Sequence, residues 1–183
     1  MRRAVLRDAL GIGVAVGAYG LSFGAVATTA GLSAVQACAL SLLMFTGASQ
    51  FALVGVLGAG GGAIAGVLSS LLLGSRNTLY AVRLADLLRL PGPRRIVAAQ
   101  LTIDETTAMA TAAPAGQERT AFWATGVSVY LLWNLGTLLG ALGAARLGDP
   151  ATFGLDAAVP AAFLALLAPR LRERQGFSIA LAG

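Results

Sequence analysis

The stretch that decides the fold is residues 9–75, which read ALGIGVAVGAYGLSFGAVATTAGLSAVQACALSLLMFTGASQFALVGVLGAGGGAIAGVLSSLLLGS. No Asp, Glu, Lys or Arg interrupts it, and the flanking charges are Asp8 and Arg76. A helix that crosses a bilayer needs about 20 consecutive apolar residues, so this stretch has room for about three crossings. Soluble proteins do not bury so long an uncharged stretch. We therefore predict an integral membrane protein.

The composition of the whole chain supports the same prediction. Of its 183 residues, 57% are hydrophobic and only 11% are charged, whereas a soluble domain is about a quarter charged. The net charge of +5 comes from arginines in short loops beside apolar segments. This placement fits the positive-inside rule better than a nucleic-acid surface. The single cysteine excludes an internal disulfide and a cysteine cluster, and we expect no metal or cofactor.

The apolar runs predict an all-α bundle of about five to six membrane spans. The runs cover residues 9–29, 32–58, 63–83, 96–113, 120–145 and 157–169, and a last run begins at 177. We interpret 1–183 as one transporter domain that is truncated at its C-terminus, because the last run stops soon after it begins. The first run is too long for a signal peptide, so we expect a retained span with a cytoplasmic N-terminus.

The arginines of loop 86–95 conflict with six straight crossings. Six crossings from a cytoplasmic N-terminus would place this loop outside, against the positive-inside rule. A re-entrant or broken segment in the first half would move the loop to the cytoplasmic side, although the later loops would shift as well. Irregular backbone at membrane depth is tolerated where it is buried in protein or lines a cavity.

Two glycine-containing segments predict breaks in helices. Gly13 and Gly17, like Gly20 and Gly24, are four residues apart and share a helix face, which is typical of close helix packing. The stretch 17–24 also predicts a helix that unwinds easily and frees backbone groups for a ligand. The segment Thr46-Gly47-Ala48-Ser49-Gln50 indicates a second break.

Asp104 and Glu105 are the most informative charged residues. A carboxylate in the middle of a span costs about 2.5–3.5 kcal/mol on insertion scales, so two adjacent ones need a reason. They either lie at the membrane interface, pair structurally with Arg76 or Arg83, or face a cavity. In a cavity they would suit proton coupling or binding of a substrate ammonium group.

The chain also contains a formal G-x-S-x-G at residues 20–24, a pattern found in serine hydrolases. A nucleophilic serine needs a general base, most often histidine, and this chain has no histidine. The pattern also lies in a glycine-rich apolar helix instead of a strand-to-helix turn. We therefore expect no enzymatic activity.

Six short segments carry a resemblance to a known family: 20–25 (GLSFGA), 31–37 (GLSAVQA), 45–51 (FTGASQF), 76–80 (RNTLY), 102–105 (TIDE) and 160–164 (PAAFL). In this order they resemble the AzlC family, which supplies the large subunit of branched-chain amino acid exporters. The resemblance implies export across the bacterial cytoplasmic membrane, coupled to protons as in an antiporter. It also implies a small AzlD-type membrane subunit as partner.

We expect the substrate to bind at the two glycine-containing segments and the charged residues to provide coupling or an ion pair. The substrate-binding candidates are Gly20, Ser22, Phe23, Gly24, Thr46, Ser49 and Gln50, and the charged candidates are Asp104, Glu105 and Arg76. If the chain consists of two halves of three segments, 17–24 and Asp104 occupy equivalent positions of an inverted repeat. The alternatives are a passive channel and a non-transporting assembly subunit.

Overall fold

The computed structural model describes residues 2–147. These residues form eight α-helices and no strand: α1 (Arg2–Thr29), α2 (Ala34–Leu43), α3 (Ala48–Gly58), α4 (Ala63–Gly74), α5 (Arg76–Leu88), α6 (Arg94–Gln100), α7 (Asp104–Ala112) and α8 (Glu118–Leu147). The predicted all-α class is confirmed for this part of the chain. The predicted segments 157–169 and 177–183, and the matching segment 160–164, lie outside the described residues.

Helices α1 and α8 form the centre of the fold and run parallel to each other. A Cβ atom placed on Gly13 would lie 2.8 Å from the Ser128 hydroxyl, and one placed on Gly24 would clash with the Thr137 carbonyl oxygen. Because contacts that advance along α1 also advance along α8, both helices point the same way. We call the end at which they begin the basal end and the opposite end the distal end.

The first hairpin consists of α2 and α3. It begins and ends at the distal end, and its turn points toward the middle of the molecule. Ser33 caps α2, with its side chain accepting from the Gln36 N–H and the Gln36 side chain accepting from the Ser33 N–H. The chain turns at residues 44–47, where Gly47 has a φ of 41°. Helix α3 then returns to the distal end, since a Cβ on Gly58 would lie 3.2 Å from Ala30 Cβ, just beyond α1.

Helices α4 and α5 run from the distal to the basal end. Only Ser75, in a right-handed helical conformation, separates them, so they continue end to end. Helix α4 packs along α3 with Gly66 against Leu53. At the far end of α5, Nε of Arg119 from the start of α8 donates to the Leu88 carbonyl oxygen at 2.8 Å. The pair α4–α5 is therefore antiparallel to α1 and α8.

The second hairpin consists of α6 and α7. It begins and ends at the basal end. Loop 89–93 joins α5 to α6, and Arg94 lines a groove of about 290 Å³ together with Arg119 of α8. Helix α7 ends at Ala112, and only residues 113–117 separate it from α8. Both ends of this hairpin thus lie beside the start of α8.

Threonine side chains hold the turn of the second hairpin. The Thr102 hydroxyl donates to the Ala98 carbonyl oxygen at 2.8 Å and so ends α6. The Thr106 hydroxyl donates to the Leu101 carbonyl oxygen at 2.8 Å and accepts from the Ile103 N–H at 3.0 Å. Such local bonds compete with helical hydrogen bonds, which explains why the run 96–113 is not one helix and why Asp104 begins a helix.

The tips of the two hairpins meet beside α8. The Gln100 side chain donates to the Leu42 carbonyl oxygen at 2.9 Å, and the Tyr130 hydroxyl donates to the same oxygen at 3.2 Å. Phe45, in the first turn, packs edge-on against Tyr130 with ring centroids 4.9 Å apart. Two hairpins from opposite ends therefore share one contact region in the middle of the molecule.

The prediction that 17–24 is unwound is wrong. Helix α1 is continuous from Arg2 to Thr29, because its glycine face packs directly on the backbone of α8 and leaves no room for a ligand. The predicted equivalence between 17–24 and Asp104 in an inverted repeat stays a prediction. The second predicted break, 46–50, overlaps an interruption at 44–47, although residues 48–50 already belong to α3. Another interruption lies at 101–103.

Two continuous helices of the described part are long and apolar enough to cross a membrane, judged by length and composition: Arg2–Thr29 and Glu118–Ala144. Helices α2 and α3 are apolar but shorter. The predicted total of five to six spans stays a prediction.

Candidate functional site

An ion pair connects the second hairpin to the long α4–α5 segment. Nη2 of Arg76, the first residue of α5, lies 3.0 Å from Oδ2 of Asp104, the first residue of α7. Of the two arginines considered for Asp104, the structure pairs it with Arg76. Arg76 Nε and Asp104 Oδ1 are buried and have no hydrogen-bond partner. Each member therefore retains one unsatisfied polar atom that a ligand could engage.

The start of α7 favours negative charge. Asp104 and Glu105 both lie in its first turn, where the helix dipole and the free N–H groups stabilise a carboxylate. Both side chains belong to partly buried residues. Two acids and one arginine leave this cluster with an excess negative charge, which suits a cation or a proton.

The start of α3 favours an anion. No side chain caps this helix. The Ser49 N–H donates to the Thr46 carbonyl oxygen at 3.2 Å, and the partial positive charge of the helix start favours an anion. Gln50 is fully buried and Ser49 is 2% exposed, yet the Ser49 hydroxyl and both amide atoms of Gln50 have no partner, and the buried Thr46 hydroxyl also lacks one. Buried polar atoms are almost always paired in folded proteins, so this group indicates a place that a ligand or water occupies.

Close contacts connect the start of α3 to the ion pair and to α8. A Cβ atom on Gly74 would lie 3.2 Å from the Ser49 hydroxyl, and Gly74 precedes Arg76 by two residues. On the other side, a Cβ atom on Gly47 would lie 3.8 Å from the Trp133 ring. The unpaired polar groups of α3 therefore lie between the α4–α5 junction and the middle of α8.

Aromatic side chains form an apolar wall beside the α3 start. Phe23 stacks on Trp133 with ring centroids 5.9 Å apart, and Phe51 packs edge-on against Phe23 at 5.4 Å. All three are buried. The indole N–H of Trp133 is buried without a partner, so the wall also offers one hydrogen-bond donor.

The structure brings together only some of the predicted site residues. Thr46, Ser49 and Gln50 lie at the start of α3, with Phe23 in the neighbouring aromatic wall. Gly20 and Gly24 pack against the backbone of α8. Ser22 lies on the continuous helix α1 and is partly buried.

Sequence reasoning missed two polar groups on α8. The Trp133 indole and the hydroxyl of Thr125 are both buried and unpartnered. The sequence could have indicated both residues, because they are polar groups within the uncharged run 120–145. Among the described residues, no group of three or more His, Cys, Asp or Glu side chains could hold a metal ion.

A family model described as AzlC protein matches residues 11–147, which include both hairpins, the ion pair and α8. The chain belongs to the AzlC family. It is 28% identical to the inner membrane protein YgaZ of Escherichia coli over 185 aligned residues, which cover 96% of this chain and 76% of YgaZ. It is 35% identical to an uncharacterized membrane protein of Archaeoglobus fulgidus over 157 residues, 84% of this chain and 68% of that protein.

No solved structure matches the chain significantly. Both relatives are named as membrane proteins, which agrees with the apolar sequence and the helical fold. This AzlC protein is therefore a helical membrane protein.

Proposed function

We propose that this AzlC protein is the large subunit of a secondary transporter that exports branched-chain amino acids, coupled to protons. The observation that supports the proposal most strongly is the Arg76–Asp104 ion pair, which lies near the buried, unpartnered polar groups of α3. Ionisable groups inside membrane segments are costly and mark substrate or proton pathways. An adjoining apolar wall suits an aliphatic side chain.

The helix directions support a specific membrane topology. Helices α1 and α8 cross in one direction, and residues 63–88 cross in the other, because they rise about 39 Å at 1.5 Å per residue through a core of about 30 Å. The arms of the first hairpin have 10 and 11 residues, or about 15–17 Å. Those of the second have 7 and 9. Both hairpins therefore enter the membrane to about half its thickness and return to the side from which they started.

This topology removes the conflict over the arginine loop. If the first hairpin is re-entrant, loop 89–93 lies on the same side of the membrane as Arg2, Arg3 and Arg7, in agreement with its position beside Arg119 at the basal end. The positive-inside rule then assigns the basal end, with the N-terminus, to the cytoplasm.

Cysteine labelling tests the topology. In a Cys38→Ala background, we expect a membrane-impermeant maleimide to label the Gly62→Cys variant in intact cells and the Pro91→Cys variant only after permeabilisation. Both positions are exposed, and they lie in the loops at the distal and basal ends. Equal labelling of both variants in intact cells would contradict the re-entrant arrangement.

The opposed hairpins suggest how access could alternate. Movement of the first hairpin would open the site to the outside, and movement of the second would open it to the cytoplasm. Glu105 shares the first turn of α7 with Asp104, and we assign it the transported proton. We further propose a small AzlD-type subunit as partner and no enzymatic activity.

Counterflow in proteoliposomes tests the function. We expect the purified chain, reconstituted with a small AzlD-type subunit and loaded with unlabelled leucine, to take up labelled leucine transiently and saturably. A proton gradient should increase net flux. Flux that is linear in leucine concentration and insensitive to the gradient would favour a passive channel, and no flux of any amino acid would favour an assembly subunit.

A further inference from the structure

The α3 start is built to receive a negatively charged group. It lacks a side-chain cap, and the residue before it, Gly47, has a φ of 41° that side chains other than glycine rarely adopt. The helix N-terminus carries a partial positive charge. This feature alone does not define a ligand site.

The buried side chains next to it provide independent evidence for a ligand. The Ser49 hydroxyl and the Gln50 amide are at least nine-tenths buried and unpartnered. A hydroxyl and an amide N–H group can both donate to a carboxylate. Leaving them unsatisfied in an apolar surrounding costs free energy, which a bound carboxylate would recover.

The start of α7 has the opposite preference, for a positively charged group. We call the start of α3 and the start of α7 the two poles of the site. Asp104 pairs with Arg76 through one carboxylate oxygen and leaves the other, Oδ1, buried and unpartnered. A primary ammonium group has three donors and no acceptor, so it matches a carboxylate with a free oxygen. Arg76 follows Gly74 by two residues, and a Cβ atom on Gly74 would lie 3.2 Å from the Ser49 hydroxyl, so the residue that pairs with Asp104 is close in sequence to a contact of the α3 start.

We propose that the two poles bind the two charged groups of a free α-amino acid. The α-carboxylate binds the first turn of α3, Ser49 and Gln50, and Arg76 turns toward it. The α-ammonium group binds Asp104, so that the substrate replaces the direct ion pair. This assignment rests on the proposed transport function and adds which residues recognise each of the two charged groups of its substrate.

The assignment distinguishes leucine from analogues that lack one group. Leucinamide lacks the carboxylate, and 4-methylpentanoate lacks the ammonium group. We expect each to bind the purified full chain about 10- to 100-fold more weakly than leucine, because one set of charge-assisted hydrogen bonds is lost. Isothermal titration measures the three affinities.

Two variants identify which pole each residue serves. With Ser49→Ala, we expect the leucine-to-leucinamide affinity ratio to fall about tenfold and that of leucine to 4-methylpentanoate to stay unchanged. With Asp104→Asn, we expect the affinity ratio of leucine to 4-methylpentanoate to fall about tenfold and the ratio of leucine to leucinamide to stay unchanged. The Ser49→Thr and Asp104→Glu variants, which keep a hydroxyl and a carboxylate, should retain most of each ratio and show that the site still folds.

The outcomes separate this assignment from the proposed function. If the wild-type protein binds leucine but both ratios stay unchanged in both variants, or the two variants exchange their effects, the assignment of poles is wrong while transport can stand. If wild-type protein binds leucine and both analogues equally, zwitterion recognition is wrong. If it binds and transports no branched-chain amino acid, the proposed function itself fails.

Discussion

Replacing Asp104 with asparagine is expected to reduce leucine counterflow about 100-fold or more. The substitution keeps the size of the side chain but leaves Arg76 without its carboxylate partner, which lies 3.0 Å away in the wild-type protein. The two side chains are 38% and 44% exposed, so the cost lies below the roughly 3–5 kcal/mol of a fully buried pair. A loss of about 2.7 kcal/mol in binding of the transported substrate is enough for a factor of 100. The measurement is counterflow per inserted molecule in proteoliposomes.

Two controls separate loss of chemistry from loss of folding. Asp86→Asn removes an exposed acid near the basal end and should leave counterflow unchanged. The double variant Arg76→Gln with Asp104→Asn removes both charges, so its melting temperature should recover toward the wild-type value while counterflow stays absent. Wild-type counterflow in Asp104→Asn would contradict a role for the pair in transport.

Replacing Gly24 with alanine is expected to destabilise the protein by about 3 kcal/mol or more, the upper range for overpacking a close contact. The new methyl group would meet the Thr137 carbonyl oxygen and the Ala141 backbone nitrogen of α8. These are backbone atoms, which cannot turn aside as a side chain can. The expected readouts are a lower melting temperature in detergent and less inserted protein.

Gly11 provides the matched control on the same helix. A Cβ atom on Gly11 would have no neighbour within 4 Å, so Gly11→Ala should be neutral or slightly stabilising because alanine favours the helix over glycine. Equal melting temperatures of the Gly24→Ala and Gly11→Ala variants would show that α1 and α8 do not pack as closely as described.

The sequence predicted those features that depend on local composition. The uncharged run 9–75 indicates membrane helices by itself, and the unusual depth of Asp104 pointed to a partner such as Arg76. The glycines of α1 allowed two interpretations, close packing or unwinding. The choice depends on α8, which lies more than 90 positions further along the chain, and no local pattern reveals that contact.

The sequence did not predict the second hairpin, and the reason differs from that for the glycines of α1. Its apolar residues predict one span over 96–113, and the turn depends on hydroxyl-to-backbone bonds of Thr102 and Thr106. Threonine is also common in continuous membrane helices, so its presence does not predict a turn. The arginine loop precedes this hairpin, so its charge pointed to a re-entrant segment in the first half only. The structure has a hairpin in each half.

The most direct test of the account is leucine counterflow by the wild-type protein and the Asp104→Asn variant, side by side in the same proteoliposomes with the small partner subunit. The account predicts saturable counterflow for the wild-type protein and none above protein-free liposomes for the variant, at equal insertion. Equal, non-saturable flux through both proteins would contradict it.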